Sequence, residues 1–230
     1  MDSRGLLLLI AADSTVCAPF TSRRVFLVAT LSQMGGLMST KTASLMLALL
    51  AFSCAAIPSP NVRPFDDSSD WILTTPLTYE IGETRERITV PAGFVTDFAS
   101  VPRGLCTLLP GTGTYLRAAI VHDFLYWDQT CTKDEADAIL RAAMIESDVS
   151  PWKREAIYAG VQLGGSRAWQ SNTQDRAQNL IRVLPSASRR IPRGISWYNY
   201  RRQLSAAEVK EPSYQRPARA ACVAYMTVRP

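Results

Sequence analysis

Between residues 115 and 164 the chain carries three consecutive helix signatures separated by only a few residues, which restricts this stretch to antiparallel helices packed side by side. The first covers about 115–127, with Ala118, Ala119, Val121 and Leu125 apolar. The second opens on Thr132-Lys133-Asp134-Glu135, a Thr-x-x-Glu capping box, and sets Ala136, Ile139, Leu140, Ala143 and Met144 along one stripe. The third opens on Ser150-Pro151, an N-cap followed by a first-turn proline. It then spaces Ala156, Gly160 and Gly164 four apart, a smooth track along which another helix is expected to approach closely. Upstream, residues 71–75, 77–81 and 85–90 alternate apolar and polar side chains around a Gly82-Glu83-Thr84 turn, and a small antiparallel hairpin follows. The expected fold class is mainly α (α+β): a three-helix core and a small N-terminal β-hairpin.

A chain of 230 residues holds one ordinary domain with tails to spare. The net charge of +5 is unevenly spread. Residues 173–230 carry 11 Lys/Arg against 3 Asp/Glu, so residues 1–172 carry 14 against 17. With no lasting periodicity, 173–230 reads as a basic, flexible tail. Its aromatic island Trp197-Tyr198-Asn199-Tyr200-Arg201-Arg202 gives a sharper option, a patch resting on phospholipid or another anionic membrane surface, with nucleic acid ranked behind it. Residues 71–172 form the expected globular domain, and the Pro, Ser and Asp-rich stretch 58–70 reads as a linker.

Residues 1–57 read as an upstream extension plus an export signal. Met38, one positive charge at Lys41, an apolar run over 43–51 and small residues to Ala56 are the parts of a signal peptide, with Met38 as the expected natural start. Lipidation at Cys54 and plain cleavage near Ala56 are both open, so the expected location is exported: periplasmic, lipoprotein-anchored or secreted; the bland alternative for the segment is a buried core helix. Export permits a disulfide between Cys106 and Cys131, with free buried thiols as an equal alternative.

The chain contains a single histidine, His122, in His122-Asp123-Phe124-Leu125-Tyr126. Paired-histidine metal sites and HExxH proteases are thereby excluded. At i and i+4 of a helix, His122 and Tyr126 share a face. Asp137 lies at the margin of the second helix's apolar stripe, where it can face His122 across the antiparallel pair. A carboxylate so placed fixes the tautomer of an imidazole base and stabilises the imidazolium. Asp123, with Asp97 from the loop Pro91-Ala92-Gly93-Phe94-Val95-Thr96-Asp97-Phe98-Ala99-Ser100-Val101-Pro102-Arg103, offers oxygen ligands to a hard cation such as calcium. The bland readings are that Asp97 caps a turn, that Asp137 pairs with Arg141, and that His122 is a satisfied core residue.

That loop, followed by Ala118-Ala119-Ile120-Val121-His122-Asp123-Phe124-Leu125-Tyr126, Ala136-Asp137 and Met144, resembles the domain-of-unknown-function 1353 family of phages, prophages and bacteria, over roughly residues 70–170. That family brings no established activity. More distantly, the same order is similar to the prokaryotic secreted phospholipases A2, with Leu125 standing where those enzymes prefer a small residue. This second resemblance implies His122 as base, Asp123 and Asp97 as calcium ligands, and Asp137 with Tyr126 as the orienting pair. The function expected is an exported phospholipase A2-type hydrolase, calcium-assisted. The rival is a non-enzymatic, phage-derived or envelope-associated protein whose His-Asp-Tyr cluster is structural.

Overall fold

The computed structural model describes residues 59–98 and 113–228. The expected signal segment with Met38 and Cys54, and Ser100, Arg103 and Cys106 of the expected loop and disulfide, lie outside the described residues. Three helices follow the sequence signatures: α1 (Gly113–Asp128), α2 (Lys133–Glu146) and α3 (Pro151–Ala177). The capping box at the start of α2 is complete, since Thr132 accepts from the Glu135 N–H and the Glu135 carboxylate accepts from the Thr132 N–H. Its whole predicted stripe, together with Asp137, is buried. The fold is α+β and mainly helical, with α1 and α2 packed against each other and α2 against α3. Among the described residues no helix is long and apolar enough to cross a membrane.

The strands divide differently from the expected single hairpin. Strands β3 (Leu77–Glu80) and β4 (Arg87–Val90) form the antiparallel hairpin, with Leu77 opposite Val90 and Glu80 opposite Arg87. Gly82 takes φ +54° in its turn, a left-handed conformation that glycine tolerates without strain. Residues 71–73 leave this ribbon and become β2 (Trp71–Leu73), the middle strand between β1 (Val62–Pro64) and β5 (Val95–Thr96). The stretch expected as a linker therefore supplies a strand, and its Phe65 is buried. Pairing with β2 gives that backbone the hydrogen bonds a solvated linker would have taken from water.

The tail expectation is overturned as well. Residues 173–228 complete α3 and continue through α4 (Trp197–Ala206) and α5 (Arg219–Val223) within the same compact unit. Ile181, Leu184, Ile195, Trp197, Tyr200 and Leu204 join Phe65, Ile72 and Val95 in a second apolar cluster. The physical reason is a set of long-range anchors that no local period announces. Phe94 bridges to Val183, and Glu211 accepts from the Arg182 and Val183 N–H groups and from the Trp127 indole. Arg216 reaches the fully buried Asp128 at 2.9 Å, and Arg219 pairs with Glu135. Cys131 is joined to Cys222, not to Cys106, because α5 lies against the start of α2.

Candidate functional site

The α1 sequence places His122 and Tyr126 one turn apart, and both side chains turn toward the first half of α2, where Asp137 is buried. Asp137 Oδ1 accepts from His122 Nε2 at 2.8 Å and from the Tyr126 hydroxyl at 2.6 Å. Its Oδ2 accepts from Lys133 Nζ at 2.7 Å and from Gln162 Nε2 at 2.6 Å. One carboxylate thus collects four donors from three helices. The alternative pairing with Arg141 does not occur, since Arg141 bonds Glu155 instead.

Burial alone would push the Asp137 carboxyl up, but the hydrogen bonds from His122, Lys133 and Tyr126 outweigh it and hold the group below its ordinary value. The Tyr126 hydroxyl moves the other way, raised by burial and by its bond to Asp137. Asp137 is therefore an anion at neutral pH and Tyr126 a donor.

The glycines of α3 serve a purpose the spacing did not indicate. A Cβ on Gly165 would stand 2.3 Å from the Tyr126 hydroxyl oxygen, so this glycine leaves room for the Asp137 network. A Cβ on Gly164 meets nothing within 4 Å. Among the described residues no helix packs on the Gly164 end of the Ala156-Gly160-Gly164 track. Gly160 and Gly164 instead line a cavity of about 380 Å3, with His122, Asp123, Asp97, Tyr126 and Arg182 on its other walls.

Four of the five expected site residues, Asp97, His122, Asp123 and Tyr126, thus converge on one cavity, while Asp137 sits behind His122. Asp123 Oδ2 accepts from the Thr96 hydroxyl at 2.5 Å. Asp97 Oδ1 accepts from Arg182 Nη2 at 3.3 Å rather than simply capping a turn. Arg182 is held by Val95 O at 2.8 Å and by Asn172 Oδ1 at 3.2 Å, and Asn172 donates in turn to Tyr126 O. Near Asp97, burial, then the charges of Asp97 and Asp67, push the Asp70 carboxyl up to about 6. Among the described residues the only trio spaced to hold a metal is Cys131, Glu135 and Cys222, and the disulfide consumes both of its sulfurs.

Sequence reasoning missed Lys133, Gln162, Gly165, Thr96 and Arg182. Lys133 was within reach, since it stands at i−4 from Asp137. Gln162 and Arg182 lie 25 and 45 positions beyond Asp137, with no local signal to connect them.

A family model described as "Protein of unknown function (DUF1353)" matches residues 71–161, the family that the loop and His-Asp-x-x-Tyr signature resemble. The matched span holds Asp97, His122, Asp123, Tyr126 and Asp137, and ends before Arg182. No curated protein and no solved structure matches the chain, so the phospholipase A2 resemblance gains no support from these comparisons.

Proposed function

We propose that this domain of a family of unknown function is a hydrolase in which His122 takes a proton from a water molecule attacking an ester, in the manner of a phospholipase A2. The observation that carries the reading is the 2.8 Å contact between His122 Nε2 and the buried anion Asp137, with His122 on the wall of the cavity. With Nε2–H given to Asp137, the neutral imidazole keeps its lone pair on Nδ1. Nδ1 then accepts the proton as the water oxygen bonds to the carbonyl carbon, and returns it to the leaving alkoxide as the ester C–O bond breaks. Asp137 holds the tautomer and stabilises the imidazolium, while Tyr126 and Lys133 hold Asp137. Arg182 is the cation on the described cavity wall that can balance charge growing on the carbonyl oxygen.

Calcium is left out of this mechanism. Asp97 accepts from the Arg182 guanidinium and Asp123 from the Thr96 hydroxyl, and the calcium and chelator arms of the ester assay read whether these two carboxylates also act with an ion. The Cys131–Cys222 disulfide supports an exported location, because cytosolic thiols are kept reduced. An exported chain starting at Met38 should have its mature N-terminus between Cys54 and Ala56, which mass spectrometry of the mature protein reads directly.

The test is ester hydrolysis by purified protein on phospholipid micelles and on short-chain soluble esters, each with calcium and with chelator. His122→Gln should lower the rate on the order of a hundredfold or more while the fold persists. The rival reading draws on the same four donors at Asp137, which would tie α1, α2 and α3 together without chemistry. It predicts no turnover on any ester, with His122→Gln acting only on the melting temperature.

A further inference from the structure

The arginines of residues 173–228 fall into two sets. Arg176, Arg182, Arg189, Arg201, Arg216 and Arg219 each give guanidinium N–H groups to a carbonyl or carboxylate of the fold. Arg190, Arg193 and Arg202 are exposed, and none of them makes a side-chain hydrogen bond or ion pair among the described residues. Arg193 and Arg202 line one open groove of about 670 Å3, alongside the amides of Asn199 and Gln203. Arg190 precedes it by three residues. No carboxylate is among the described lining residues; Asp66, whose backbone N–H reaches Ile195 O at 3.2 Å, is not part of the wall. At the rim Tyr198 is 68% exposed, with the Arg202 guanidinium carbon 5.7 Å from its ring centroid.

We infer that this groove binds the phosphate groups of an anionic phospholipid surface. Arg193 and Arg202 share a groove with no carboxylate among its described lining residues, the Asp67 carboxylate beside it being engaged by the Trp197 N–H, and an anion between the arginines relieves their repulsion. Guanidinium forks and side-chain amides suit phosphate oxygens. The choice of lipid over polynucleotide rests on extent and on Tyr198. Two arginines in one groove match a few headgroups and provide no track for a long strand, and an outward tyrosine beside cations is the amphipathic group that settles at headgroup level. This site is separate from the His122 cavity and requires no turnover there.

The experiment is co-sedimentation of the full chain with vesicles of phosphatidylcholine alone and of phosphatidylcholine containing one part in three, roughly, of phosphatidylglycerol. Binding is expected only to the anionic vesicles and should weaken as salt rises. Arg193→Gln with Arg202→Gln should reduce partitioning on the order of 25-fold, about fivefold per arginine, with an unchanged melting temperature. Arg85→Gln with Arg167→Gln removes the same charge from exposed positions elsewhere and should cost far less. Equal losses from the two double variants, or equal binding to neutral vesicles, would overturn the inference. So would tighter binding of inorganic phosphate or a short oligonucleotide that is lost in the Arg193/Arg202 variant, because the groove would then serve that ligand. The readout is binding, so a chain that hydrolyses nothing still gives a full answer.

Discussion

The α1–α2 pair is largely buried, and the segment that follows α3 buries only scattered side chains, so the two are held by different means. In the helix pair, apolar positions recur at helical spacing, and the two helices meet because the turn between them is short. The polar contacts there are made by neighbours: His122, Tyr126 and Lys133 all lie within 15 residues of Asp137. The later segment has only short helices and reaches the domain through Arg182, Glu211, Arg216, Arg219 and Cys222, across separations of 84 to 91 residues. A basic stretch without periodicity is thus ordered by matching its arginines to the carboxylates and carbonyls of an acidic domain, and the +8 balance reflects that match.

The largest effect expected is at the centre of the helix pair. Asp137→Ala leaves four donors facing an empty site, two of them on a buried Lys–His arrangement, and should cost about 3–5 kcal/mol. For a domain of this size that is roughly a 10 °C fall in melting temperature. A drop of only a degree or two would mean that the local pair does not depend on its polar centre.

Next comes the covalent anchor of the later segment. Replacing Cys131 and Cys222 by Ala opens a 91-residue separation and should remove about 3 kcal/mol. Limited proteolysis should then cut after residue 206 while α1 and α2 stay protected. Cleavage within α1 at the same rate would erase the distinction between the two regions.

Adjacent glycines sharpen it further. Gly165→Ala forces Tyr126 off Asp137 and should cost about 1–2 kcal/mol, overpacking offset in part by the helix preference of Ala. Gly164→Ala has open space and should be neutral or stabilising by up to about 1 kcal/mol, readable in the same chemical denaturation series.

The smallest effect belongs to the exposed Arg219 and its half-buried partner Glu135, where Arg219→Gln should lower the melting temperature least of the destabilising variants. The hydrogen bond from Arg219 holds the Glu135 carboxyl down at about 2. A carboxyl depressed on folding contributes stability present above its unfolded value of 4.5 and lost as pH falls from there through 2. The wild type should therefore lose its advantage over Arg219→Gln across that window in acid melts, and an unchanged difference would remove this pair from the anchors.

The legible parts of the molecule are those whose cause is local. Thr132 and Glu135 cap α2 because two residues three apart satisfy each other's N–H groups, and no tertiary context is needed. The meeting of His122 with Asp137 follows from two periodic helices and a short turn. Gln162 and Arg182 were illegible because nothing in their own surroundings points to a site. Gly165 was illegible for a related reason: a four-residue spacing of small residues suggests a helix contact, and only the position of the Tyr126 hydroxyl shows which glycine is crowded.

Residue order alone settles three helices, the capping box of α2, one buried stripe and a histidine restricted to single-imidazole chemistry, whereas the Ser150 hydroxyl expected to cap α3 makes no capping hydrogen bond. Packing in three dimensions decided the rest. It made a strand of a Pro- and Asp-rich stretch, folded a basic segment onto an acidic domain, paired Cys131 with Cys222, and set Asp97, Asp123 and Arg182 around His122. Those outcomes depend on which distant donor first finds a buried acceptor, and the free energy of such a match resides in neither partner's local sequence.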